Sequence, residues 1–83
     1  MTGRTTVIDI ANGVREVIEY HLGAAKAGMT EDARLTDLGA DSIDLYELVM
    51  SLEEKFNINI DDRDAQRLTT VGDTIEFIKS RLS

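Results

Sequence analysis

Asp41-Ser-Ile-Asp44 is where residue type and spacing point most directly to chemistry. Two acids three positions apart have the pattern of a helix cap and its third-position partner, which leaves Ser42 in the first helical turn. A hydroxyl there is exposed and lies near backbone N–H groups that have no partner inside the helix. Those donors, with the positive end of the helix dipole, favour a phosphate attached to the serine. The flanking carboxylates oppose that charge, although two acids beside a serine also suit a divalent cation. By itself a serine at a helix start is most often only a cap. Catalysis by Ser42 has no support, because a serine nucleophile needs a base. His21, the one histidine, belongs to another helix, on whose apolar stripe it falls as a partly buried structural residue.

Other chemistry is excluded by composition. With no cysteine in 83 residues, disulfides, thiolate metal sites and a cysteine nucleophile are all ruled out. No dedicated metal site is expected. An EF-hand loop begun at Asp37 puts Ser42 where glycine is required and Leu48 where glutamate is required, and one begun at Asp61 puts Gln66 at the glycine.

Sixteen acids against nine bases give a net charge of −7. Between Asp37 and Asp64 stand nine acids and two bases, so this third of the chain carries the whole imbalance. A solvated helical face is the plain reading of such a run. The charge excludes a nucleic-acid partner and an anionic membrane surface, both of which would repel it. No stretch is long and apolar enough to insert in a bilayer, and the N-terminal Met1–Val7 lacks a signal-peptide core. A cytoplasmic, monomeric protein is expected.

The elements that position Ser42 follow from periodicity. Thr6 and Asp9 form a capping pair ahead of Val7, Ile10, Ala11, Val14, Val17, Ile18, His21 and Leu22, which recur at helical spacing. Gly23 is placed to end that helix. Gly13 inside it costs about 1 kcal/mol relative to Ala, so the periodicity carries this assignment. Residues 23–41 read as a long connection, pinned to the core by Met29, Leu35 and Leu38; so long a loop is often functional. A second helix spans about Ser42 to Phe56. Asp61 or Asp62 to Arg67 has room for a turn or two, and Thr70 with Asp73 caps a last helix on Val71, Ile75, Ile78 and Leu82. The expected fold is all-α: a single domain over residues 1–83, frayed at 1–5, folded as a small four-helix bundle. It has three longer helices and one short helix, with the long loop between helices 1 and 2.

On a helical wheel the second helix has two apolar faces. With Ile43 at zero, Leu45, Leu48, Val49, Leu52 and Phe56 fall between about 140° and 240°, an ordinary core stripe. Tyr46, Glu47, Met50 and Glu54 lie within about 60° of Ile43, on the opposite side. One reading is that Ile43 or Tyr46 covers the long loop. The other is a docking surface, where apolar anchors supply contact energy and acids speed encounter with basic partners.

Leu38-Gly-Ala-Asp-Ser-Ile-Asp-Leu-Tyr-Glu-Leu-Val-Met50 closely resembles the phosphopantetheine attachment segment of acyl carrier proteins. The resemblance continues through Leu52-Glu-Glu-Lys-Phe56, Ile60-Asp-Asp62 and Leu68-Thr-Thr-Val71, and reaches back weakly to Val14, Ile18, Leu22 and Gly23. It implies that a phosphopantetheinyl transferase, using coenzyme A and magnesium, attaches 4'-phosphopantetheine covalently to Ser42, beside Asp41. The arm's terminal thiol would carry acyl groups as thioesters, which fits a chain without its own sulfhydryl. The family's recognition helix maps onto Asp41, Ile43, Asp44, Tyr46, Glu47, Met50 and Glu54. Its partners would be acyl-transferring and synthase enzymes with basic docking patches, and the bundle would shelter the acyl cargo between helices. The resemblance thus implies a carrier, not an enzyme, in fatty-acid or related lipid synthesis.

Four positions depart from that pattern: Tyr46 replaces a small aliphatic residue, Lys55 a common Glu, Asn59 an acid and Asp61 a proline. They leave the attachment segment intact and bear on which pathway is served. A dedicated polyketide or aminoacyl/peptidyl carrier is the alternative within the superfamily. Peptidyl carriers usually have a Gly-Gly-x-Ser type motif and a less acidic second helix, so Gly39-Ala-Asp-Ser42 favours the acyl branch. An unmodified acidic helical interaction module is the alternative of another class.

Overall fold

The computed structural model describes residues 7–23 and 29–82. Four helices follow in order: α1, Val7–Leu22; α2, Ser42–Phe56; α3, Asp62–Ala65; and α4, Val71–Leu82. The all-α expectation holds, and the second helix occupies the span its periodicity predicts. The cap at Thr6, the frayed start and Gly28 lie outside the described residues.

The apolar stripe of α1 is turned inward, with Ile10, Val14, Val17 and Ile18 buried. Leu48 and Leu52 of α2 and Val71, Ile75 and Ile78 of α4 close the same core. Full burial of each such side chain stabilises the fold by about 1.5–3 kcal/mol. Helix α1 ends at Gly23, whose φ of +69° suits a residue without a Cβ. Its N–H donates to the Glu19 carbonyl at 2.8 Å.

Gly13 is where α1 approaches α2. A Cβ there would lie 2.9 Å from Phe56 Cζ and 3.1 Å from Lys55 Cε. The helix propensity lost at Gly13 is therefore offset by closer packing, which periodicity alone did not explain.

The long connection is tied down rather than loose. Met29 and Leu35 are buried, and Leu38 packs against the core, as expected of the three. Its backbone is stitched to the start of α4. Leu35 N–H donates to Thr69 O at 3.0 Å, Val71 N–H to Ala33 O at 3.0 Å and Gly72 N–H to Glu31 O at 2.9 Å. An isolated antiparallel bridge pairs Arg34 with Thr70. The last-helix cap forms as predicted, with Asp73 N–H donating to Thr70 Oγ1 at 3.0 Å.

The third helix is shorter than the Asp61–Arg67 span allows, because it stops at Ala65 and a turn carries the chain to buried Leu68. Asp61 stands where the carrier pattern has proline. Its side chain accepts from Asp64 N–H at 2.8 Å, so an N-cap does the initiating work. None of the residues of α3 is fully buried. It is held instead by α4: Arg81 Nη1 donates to Asn59 O at 2.7 Å, and Nη2 pairs with the Asp64 carboxylate. The same guanidinium lies 4.7 Å over the Phe77 ring.

Candidate functional site

Ser42 is the first residue of α2, and the local geometry there follows from Asp41 and Asp44. Asp41 Oδ1 accepts from Asp44 N–H at 2.9 Å, while Asp44 Oδ2 accepts from Asp41 N–H at 3.2 Å. This reciprocal capping box fixes where α2 begins. It also occupies one oxygen of each flanking carboxylate. Ser42 is exposed, and its hydroxyl takes no hydrogen bond among the described residues. Held at a rigid helix start and free on its solvent side, that hydroxyl is available for a covalent bond.

The face predicted opposite the core stripe is outward-facing. Ile43 is 68% exposed, Tyr46 66% and Met50 50%. Glu47, Glu54 and Asp41 are exposed beside them, with Asp44 half-buried at the helix start. Neither Ile43 nor Tyr46 is covered by the long connection. The structure therefore assembles the predicted residues along one side of α2, with Ser42 at its N-terminal end.

Beside Ser42 the structure adds a feature that periodicity missed. A half-open groove of about 460 Å³ runs between α2 and the Ile60–Leu68 segment, walled by Leu45, Tyr46, Val49, Ile60, Ala65 and Leu68. Its lining is mainly apolar, and Ser42 stands among the groove residues. Leu45 and Val49 count as core on the wheel, yet both remain partly accessible because α3 is too short to cover them. The signal was present in sequence: a core stripe about 100° wide faces a third helical segment of only a turn or two.

Three further placements are contacts made across the fold. His21 Nε2 and Ser51 Oγ lie 2.6 Å apart, so the histidine ties α1 to α2 as a structural residue. Ser51 is nine positions beyond Ser42, about 13 Å along the axis, too far for His21 to act as its base. Lys55 pairs with Glu16 of α1 at 3.7 Å, and Asn59 contributes its carbonyl to Arg81. Among the described residues, no group of three or more His, Cys, Asp or Glu converges as a metal site, and no helix could cross a membrane.

A helical bundle with a free serine hydroxyl at a helix start, next to an apolar groove and an acidic face, has the form of a carrier domain. Comparison with known proteins agrees. Residues 12–78 match the family described as phosphopantetheine attachment site. The chain is 41% identical over 75 residues to the acyl carrier protein of Thermotoga maritima, covering 89% of this chain and 93% of that one. It is 44% identical over 75 residues to the acyl carrier protein of Chlamydia caviae, covering 89% and 97%. In fold it is similar to the HMG-ACPI domain from the CurA module of Lyngbya majuscula, with a TM-score of 0.80 at 22% identity. That match covers 100% of this chain and 84% of the other. The chain belongs to the phosphopantetheine attachment family as an acyl carrier protein, with 4'-phosphopantetheine as its cofactor.

Proposed function

We propose that Ser42 bears the 4'-phosphopantetheine arm and that the outward face of α2 presents the loaded carrier to enzymes of fatty-acid or related lipid synthesis. The observation that carries this reading is the unbonded, exposed Ser42 hydroxyl at a helix start whose neighbouring carboxylates are engaged in a capping box. When bound, the arm supplies a terminal thiol that holds acyl groups as thioesters.

This chain's own residues do the rest. The free N–H groups at the start of α2 would favour the charge of a phosphodiester attached to Ser42. Leu45, Val49, Ile60, Ala65 and Leu68 offer an apolar lining beside the attachment point, where burial of an acyl chain yields about 0.8 kcal/mol per CH₂. Ile43, Tyr46 and Met50 are the apolar anchors for partner enzymes, including the phosphopantetheinyl transferase. Asp41, Asp44, Glu47 and Glu54 steer basic patches toward them. In this reading the chain delivers intermediates, and its partner enzymes make and break the bonds.

Incubation with coenzyme A, Mg²⁺ and a broad-specificity phosphopantetheinyl transferase should add the mass of one arm to the intact protein. Ser42→Ala should abolish the gain. An unchanged wild-type mass, or a gain that survives Ser42→Ala, would sink this assignment.

A further inference from the structure

The groove beside Ser42 has two walls that are consecutive in sequence. One is the side of α2 that carries Leu45, Val49 and Glu53; the other begins at Ile60 and runs back to Leu68. Leu68 lies at the Ser42 end, where Leu35 joins the two walls. The Leu35 carbonyl accepts from Ala40 N–H at 3.1 Å, and its N–H donates to Thr69 O at 3.0 Å. The groove is therefore a hairpin, open beside Ser42 and crossed at its far end by the connection from Asn57 to Ile60. Ser42 and Glu53 stand about 16 Å apart along the axis of α2.

One peptide group pins that crossing from both sides. Ile60 is buried and lies between the end of α2 and the start of α3, so its N–H has no helical partner. Glu53 supplies one, its Oε2 accepting from Ile60 N–H at 2.7 Å. The carbonyl of the same peptide group, Asn59 O, accepts from Arg81 Nη1 of α4 at 2.7 Å. The main-chain carbonyl of Glu53 also accepts from Ile58 N–H at 3.1 Å and from the N–H of Asn57, whose φ of +55° turns the chain. Glu53 thus holds the connection at three points, and its half-buried carboxylate straps the closed end of the groove.

We propose that this strap makes Glu53 the residue that sets the length of acyl chain the carrier can bury. The proposal rests on the attachment at Ser42 and the acyl lining argued above, and adds the residue at which that lining ends. An acyl chain entering beside Ser42 gains apolar burial with each methylene seated against Leu45, Val49 and Leu68. At Glu53 the gain stops. A further carbon must either stay in water or displace the carboxylate, which leaves the buried Ile60 N–H without a partner.

The test loads the full-length protein from a series of straight-chain acyl-coenzyme A thioesters, butyryl to palmitoyl, with Mg²⁺ and a broad-specificity phosphopantetheinyl transferase. Wild-type Tm should climb with acyl length and level off once the acyl chain reaches Glu53. In Glu53→Ala the levelling should move to acyl chains longer by about two carbons, the room left by the lost carboxyl group, and the Ile60 amide should exchange faster. Glu53→Gln keeps an acceptor carbonyl and should level off where the wild type does. In the wild type alone, ¹⁵N NMR should show perturbed amides advancing with acyl length from Leu45 and Leu68 to Val49 and stopping at Ile60. The same levelling point in Glu53→Ala and wild type, or an equal displacement in Glu53→Gln, would overturn the proposal. So would amide shifts that pass into the core at Ile18 and Ile75 as the acyl chain lengthens. Loading is read first by intact mass, so a failed attachment shows as a missing mass gain and a failed strap only in the length series.

Discussion

Ser42 owes its availability to its neighbours. Asp41 and Asp44 satisfy each other's backbone N–H groups, so the serine has no capping duty and its hydroxyl faces solvent. Gly13 shows the same dependence on surroundings in the core. In isolation it weakens α1, but the ring edge of Phe56 and the stem of Lys55 occupy the space a side chain would need. Phe56 is itself packed against the core, so its ring has little room to retreat. Gly13→Val should therefore destabilise the protein by about 1–3 kcal/mol, because overpacking outweighs any gain from removing glycine. Urea unfolding of variant and wild type would measure it, and equal or greater stability in the variant would show that the helix contact yields freely.

At the scale of elements, signals that lie within four residues of one another were readable directly. The Asp41/Asp44 and Thr70/Asp73 patterns located the starts of α2 and α4, and the 3.6-residue period exposed both faces of α2. Contacts made across the fold were not readable: His21 meets Ser51 30 positions away, and Arg81 meets Asp64 17 positions away. The groove escaped for the same reason, since it exists only where a four-residue helix fails to cover Leu45 and Val49. With no fully buried residue of its own, α3 depends on Arg81, which grips both the Asn59 carbonyl and the Asp64 carboxylate. Arg81→Ala should cost about 1 kcal/mol, which in a domain this small lowers Tm by about 4–8 °C. The loss should be local, with hydrogen exchange quickening at Ala65, Gln66 and Arg67 while Ile18 and Ile75 keep their protection. Uniform acceleration across all helices would mean that Arg81 supports the whole bundle rather than α3.

Across the whole molecule the dominant quantity is the acidic excess from Asp37 to Asp64. Within that window the described ion pairs compensate only Asp64, through Arg81; Lys55 reaches out to Glu16 instead of to a window acid. Asp41, Glu47, Glu54, Asp61 and Asp62 stand exposed and repel one another across distances comparable to the Debye length, about 8–10 Å near physiological salt. Screening should then act in two opposite senses. Raising NaCl from about 0.05 to 0.5 M should raise Tm, and Mg²⁺ at matched ionic strength should raise it further, because repulsion inside the folded state is relieved. The same change should slow association with a basic partner, whose encounter depends on that unscreened field. Thermal scans and stopped-flow binding on one salt series would test both. A flat or falling Tm would show that repulsion in the window does not limit stability. Salt-independent association would remove the acids from the docking step and leave Ile43, Tyr46 and Met50 to act by contact alone.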